Sequence, residues 1–261
     1  MPENTPTPQN PEQPEKNDET PVVAKAVSKS FGSQKVLDGV DLEIKRNETV
    51  GVLGQSGGGK SVLLRLLIGL YPPDSGSIVV YGEDITKVPL AKLNEIRKRI
   101  GFLFQHSALY DSLNVEENVA FPLRRHTKMS DQERSQKVQG LLKSVGMESD
   151  LKKMPSELSG GMQRRVGLAR ALALDPDILL FDEPTSELDP MMAADIGKLI
   201  NQQKQERKVT SIVVTHDLHS AKTFCDRLVV LNGGKIVSQG TYEELEQSRD
   251  DFVVRYLRDA A

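Results

Sequence analysis

What this sequence lacks narrows its class first. Its 261 residues include one cysteine, Cys225, which excludes an internal disulfide and suits a reducing compartment. No apolar run approaches the roughly 18 residues that a membrane-spanning helix needs. The N-terminus lacks the basic-then-apolar layout of a secretory signal. Neither sign of charge dominates, and a net charge of −3 leaves no general nucleic-acid footprint. No internal repeat and no second phosphate loop is found. The expectation is a cytosolic protein whose membrane role comes through a partner.

What is present reads as one large domain, or one domain with an inserted lobe. Residues 1–20 hold five prolines and five acids against one lysine, with no large apolar residue after Met1. Such a tail cannot bury enough surface to offset ordering entropy and is expected to be disordered. Short strands are expected at 22–27, 36–37 and 40–44, the last alternating at period two. Pro72-Pro73-Asp74-Ser75-Gly76 is a turn, followed by a strand at 77–81. Residues 89–175 change character: a basic amphipathic helix at 90–100, a short buried strand at 101–104, and helices at 130–145 and from Ser159 through Ala173. The last third returns to α/β alternation. Residues 178–181 form a continuous apolar strand of the parallel-sheet kind, followed by a helix at 191–205 and a strand at 211–214. A closing hairpin is expected through Asn232-Gly233-Gly234.

The chain is organised around Gly54-Gln55-Ser56-Gly57-Gly58-Gly59-Lys60-Ser61, which fits G-x-x-x-x-G-K-[ST]. An apolar run, Val50-Gly51-Val52-Leu53, precedes it, and Val62 opens a helical stretch after it. Glycines let successive N–H groups converge on a β-phosphate, and the following helix adds its positive end. Lys60 is expected to reach the β- and γ-phosphates and the Ser61 hydroxyl to ligate Mg²⁺. Asp182-Glu183 follows the strand at 178–181. An acid at the end of a neighbouring strand can hold the Mg²⁺ shell, and a second one just beyond it can orient or deprotonate the attacking water.

Leu158-Ser159-Gly160-Gly161-Met162-Gln163 resembles the LSGGQ signature of ATP-binding-cassette ATPases, with Met162 displacing the usual glutamine. The resemblance spans about residues 22–245. It implies an α/β phosphate-loop cassette with a flanking antiparallel β layer and an inserted helical subdomain at about 89–175. The cassette would run over 21–248, with a C-terminal helix or tail at 249–261. In the family the signature completes the site of the opposite subunit, so Ser159, Gly160 and Gly161 would meet ATP across a head-to-tail homodimer. Phe31 matches the aromatic that stacks on adenine. Gln105 matches the glutamine that contacts Mg²⁺ and the water, and His216 the switch histidine at the γ-phosphate. Ser186-Glu187-Leu188-Asp189 matches the D-loop, with Glu187 where a small residue is usual.

The stretch from Gly101 through Gln105, Tyr110 and Asn118 to Arg124 is similar to that of the Mla-type ATPases of phospholipid transporters built around MCE-domain proteins. So are Lys60-Ser61-Val62, Pro155 to Met162 and the ending Phe252 to Leu257. This implies a subunit at the cytoplasmic face of the inner membrane, with transmembrane permeases, an MCE-domain protein and a small regulatory subunit as partners. Other classes carried by the same resemblance are a cassette ATPase of DNA repair or translation, and one serving amino acids or lipoproteins. The segment after Gln105 reads as loop-rich and apolar, able either to seat a membrane partner's coupling helix or to fill the lobe core. Phe252, Val253, Tyr256 and Leu257 share one helical face, expected at a subunit interface in preference to the chain's own domain.

Overall fold

The computed structural model describes residues 19–259; the tail expected over 1–20 lies outside them apart from Glu19 and Thr20. Three five-residue strands are buried at every position: β3 (Thr49–Leu53), β7 (Ile178–Asp182) and β8 (Thr210–Val214). Runs this apolar need cover on both faces, which a parallel sheet with helices on each side supplies. They form the middle of a six-stranded sheet with β6 (Ile100–Leu103), β9 (Arg227–Asn232) and β10 (Lys235–Gly240), in the order β10-β9-β3-β8-β7-β6. All pairs are parallel except β9 and β10, the hairpin expected at Asn232-Gly233-Gly234.

A four-stranded antiparallel layer flanks this sheet, in the order β2-β1-β4-β5, from β1 (Val22–Phe31), β2 (Gln34–Ile44), β4 (Ser75–Val80) and β5 (Glu83–Asp84). The two short strands expected at 36–37 and 40–44 are one strand, β2. Gly39 at φ 66° takes up the irregularity, and the register against β1 shifts around it. α1 (Lys60–Leu67) follows β3, and its buried Leu63, Leu64, Leu66 and Leu67 join the two layers. α2 (Leu90–Lys98) ends before Ile100, which already belongs to β6.

Three helices fill the space between β6 and β7: α3 (Val115–His126), α4 (Asp131–Ser144) and α5 (Gly160–Ala171). The stretch expected as a helical lobe, 89–175, therefore also carries the sheet strand β6. α3 falls where the sequence reads as loop. Asn114 and Glu117 close a reciprocal cap, with the Glu117 amide donating to Asn114 Oδ1 at 2.9 Å and the Asn114 amide to Glu117 Oε2 at 3.0 Å. Pro122 sits inside the helix and obscures its period. Part of the apolar segment fills the lobe core, through Val115, Val119 and Leu123, while Tyr110 and Phe121 line an open groove.

α6 (Pro190–Arg207) and α7 (Leu218–Phe224) complete the cover, followed by α8 (Tyr242–Glu246) and α9 (Asp251–Asp259). The amphipathic face of α9 packs on its own domain, correcting the expected subunit interface. Val253 and Leu257 are buried with Leu53, Leu218, Leu228, Val230 and Leu245. These groups already supply an apolar floor that the helix covers. Among the described residues no helix is long and apolar enough to cross a membrane.

Cys225 caps α7, and its sulfur lies over the Gly51 backbone of β3. Burial pushes its thiol pKa far above the usual range, and the Asp226 charge adds to the effect. The thiolate is the reactive form. At pH 8 iodoacetamide should label Cys225 far more slowly in the native chain than after unfolding; labelling of the native chain at the rate of a free thiol would contradict the raised thiol pKa.

Candidate active site

The ends of four parallel strands place the expected residues at one edge of the sheet. β3 runs into the loop 54–61, β7 ends on Asp182 with Glu183 next, and β8 ends two residues before His216. β6 ends two residues before Gln105. The C-terminal edge of a parallel sheet is where open α/β folds bind ligands.

Two glycines explain the loop's shape. A side chain at Gly54 would lie 2.3 Å from the Leu231 carbonyl oxygen of β9, so the chain must pass bare. Gly59 at φ 95° opens α1 from the left-handed region. It offers no side-chain cap, and the first turn of α1 carries no acid. The helix thus starts with N–H groups that nothing on its own side chains satisfies, a ready anion seat.

Lys60 is 5% exposed at its side chain and reaches back over the loop. Its ammonium donates to the carbonyls of Gly54 at 2.8 Å and Gln55 at 3.0 Å, and stands 3.6 Å from Glu183 Oε1. Burial lowers its pKa, opposed by the charges of Glu183 and Asp182. Ser61 donates its hydroxyl to Asp182 Oδ1 at 2.6 Å. Asp182 is 1% exposed, and among the described residues its buried Oδ2 has no hydrogen bond and lies 3.7 Å from the Arg65 guanidinium. A buried carboxylate oxygen without a donor costs free energy unless a cation completes it.

Glu183 holds φ 50°, a left-handed position uncommon for this residue type, and such strain concentrates at functional sites. Its amide donates to Val214 O at 2.8 Å, and its Oε2 meets His216 Nδ1 at 2.9 Å. The Ser186 hydroxyl donates to Glu183 O at 2.9 Å. One carboxylate thereby contacts the phosphate-loop lysine on one side and the histidine on the other.

The fold brings together the loop 54–61, Asp182, Glu183 and His216. It does not bring the remainder into that contact set. Among the described residues no hydrogen bond ties the Gln105 side chain to the cluster, and Gln105 lies in a turn after β6. Phe31, 44% exposed, stands edge-on to Tyr71 at 5.5 Å. Ser159 caps α5 by accepting from the Met162 amide at 3.3 Å. Gly160 and Gly161 face Leu188 and Met192, with no hydrogen bond to the phosphate loop among the described residues. Glu187 holds φ 63°, and its carboxylate lies 3.9 Å from the His106 ring.

Sequence reasoning missed the groups that tie these loops together. Arg164 is buried in α5 and donates to Phe104 O at 3.3 Å and Ser186 O at 3.4 Å, joining the segments around Gln105 and Glu187. Arg170 donates to Ser107 O and Ala108 O at 2.6 and 2.7 Å. Asn118, fully buried, accepts from the Tyr110 amide at 2.8 Å and donates to Leu113 O at 2.8 Å. Arg164 shares a helix face with Gly161 and Leu168, and an arginine on an apolar stripe was the available signal. Tyr256 was noticed only as apolar, yet its hydroxyl donates to His216 O at 3.1 Å.

The comparisons with known proteins agree with this geometry. Residues 37–186 match the family model described as ABC transporter. The chain is 43% identical over 236 residues to the probable ribonucleotide transport ATP-binding protein mkl of Mycobacterium leprae, covering 90% of this chain and 68% of that one. It is 40% identical over 227 residues to the intermembrane phospholipid transport system ATP-binding protein MlaF of Haemophilus influenzae, covering 87% and 86%. The methionine import ATP-binding protein MetN of Caulobacter vibrioides is 39% identical over 237 residues, 90% of this chain and 71% of that one. The dimeric post-hydrolysis cassette MJ0796 bound to ADP and Pi superposes with a TM-score of 0.78 at 35% identity, covering 84% of this chain and 98% of that one. The chain belongs to the ABC transporter family, as an ATP-binding, ATP-hydrolysing subunit.

Proposed function

We propose that the chain powers a phospholipid transporter, binding MgATP at the sheet edge and hydrolysing it there. The observation that carries the hydrolytic part is the Lys60–Glu183–His216 constellation beside the Ser61–Asp182 pair. Lys60 and the N–H groups opening α1 would hold the phosphates. Ser61 and Asp182, with Gln105 and water, would hold Mg²⁺, which would neutralise charge on the transferring phosphoryl group. Asp182 Oδ2 fits that purpose, because it is buried and lacks a donor. Among the described residues no three His, Cys, Asp or Glu side chains form a metal cage; Mg²⁺ commonly takes one or two protein ligands plus phosphate and water.

Glu183 would take the proton of the attacking water, and His216 would turn from Glu183 toward the γ-phosphate. Phe31 would stack on adenine. Ser159, Gly160 and Gly161 would arrive from a second copy in a head-to-tail homodimer. The dimeric state of the MJ0796 cassette supports that reading.

The groove of about 610 Å³ lined by Phe104, Tyr110, Phe121, Arg125 and Arg170 suits a permease helix at the cytoplasmic face of the inner membrane. The name of the Haemophilus relative, matched over most of its length, supports phospholipid as cargo; an MCE-domain protein and a small regulatory subunit would be the further partners that the resemblance around Gln105 implies. The names of the Mycobacterium and Caulobacter relatives support a second reading, the same subunit serving ribonucleotide or methionine permeases. The membrane protein that co-purifies with the chain from detergent decides between them: an MCE-associated permease supports phospholipid, and a methionine-type permease overturns it.

Glu183→Gln should keep ATP binding and lower turnover by about 100-fold or more, the range for loss of a general base. Turnover within a few-fold of the parent would remove Glu183 from that role. Lys60→Ala should weaken ATP binding by at least about tenfold, since it deletes a charge aimed at the phosphates. A titration with unchanged affinity would contradict the proposed phosphate site.

A further inference from the structure

Tyr256 belongs to a helix that the family match, residues 37–186, does not reach. Its hydroxyl donates to His216 O at 3.1 Å, and the Gly54 backbone lies beside that same Tyr256 hydroxyl oxygen. One oxygen therefore meets the first residue of the phosphate loop and the histidine that follows β8. The helix is anchored beside them by Val253 and Leu257, which pack with Leu53, the residue before Gly54. Phe252 stacks on the Tyr256 ring with centroids 5.8 Å apart. Anchor and bridge thus grip both sides of the turn that enters the loop.

Packing alone does not need that hydroxyl, because a phenylalanine would fill the same space. Burial raises the phenol above its ordinary pKa, so it stays a donor throughout the range in which ATP is hydrolysed. The bond acts on the histidine backbone, while the histidine ring holds Glu183 at 2.9 Å and Glu183 stands 3.6 Å from Lys60. We infer that Tyr256 is a positioning residue for ATP hydrolysis, its hydroxyl tying the His216 backbone to the start of the phosphate loop and so fixing the point from which the His216 ring reaches Glu183 or the γ-phosphate. The inference rests on the ATPase reading above. It assigns the C-terminal helix a part in turnover, since undocking α9 would release the histidine segment.

The test compares Tyr256→Phe with the parent and with Val254→Ser, a control at an exposed position of the same helix, in the full-length chain. ATP turnover, ATP affinity and melting temperature are measured for each. Tyr256→Phe should lower kcat about fivefold or more while KM and ATP affinity stay within about twofold, because a positioning bond acts on the reacting geometry more than on binding. Its melting temperature and all properties of Val254→Ser should match the parent. An unchanged kcat in Tyr256→Phe overturns the inference. So does a fall in kcat that tracks a lower melting temperature, since the tyrosine would then be scaffold only. A parent chain that binds ATP but does not hydrolyse it overturns the ATPase reading itself, and the role of Tyr256 with it.

Discussion

A buried lysine held against buried carboxylates is the constraint on which the rest of the structure depends. Lys60 stays inside the sheet edge because two loop carbonyls accept hydrogen bonds from its ammonium and Glu183 stands 3.6 Å away. Burying an ammonium costs several kcal/mol after relaxation, and close partners with good geometry return most of it. Those partners come from different strands. The loop after β3 supplies the lysine and its carbonyls, and the end of β7 supplies the acids. The strand order β3-β8-β7 sets their separation, with His216 arriving from β8 between them. The charge cluster and the parallel pairing therefore stabilise one another.

Around this centre, longer side chains transmit position from the helices to the loops. Arg164 gathers the backbone after β6 and the backbone after Glu183 onto α5, the helix that begins at the signature serine. A movement of α5 is felt at both. Arg170 and Asn118 shape the segment from Ser107 to Leu113, which borders the groove lined by Tyr110 and Phe121. On the opposite flank α9 reaches the same centre through Tyr256. The signature residues are the exception, since they face Leu188 and Met192 and make no hydrogen bond to the loop 54–61.

Much of this was legible in the sequence, for identifiable reasons. Buried parallel strands are short and almost wholly apolar, so 178–181 and 211–214 announced themselves, and the phosphate loop fixed which strand leads into the site. α4 and α5 were legible from Ser130 and Ser159, whose hydroxyls accept from the amides three residues on. α3 was not, because Pro122 and a mixed face masked its period and the Asn114–Glu117 cap was the only start signal. The docking of α9 was misjudged because an amphipathic face looks the same whether its partner is a second chain or its own domain. Tyr256 and Arg164 were missed for a related reason: a periodic pattern says that a side chain is inside, and only the fold says which loop its polar end reaches.

In the proposed dimer one chain carries half of each ATP site, and ATP joins two copies. The direct measurement is the molar mass of Glu183→Gln by light scattering, with and without MgATP, and again with Ser159→Arg added. The mass should double on adding MgATP in the first variant and stay at one chain in the second. A single chain that binds MgATP fully and keeps its mass would contradict it.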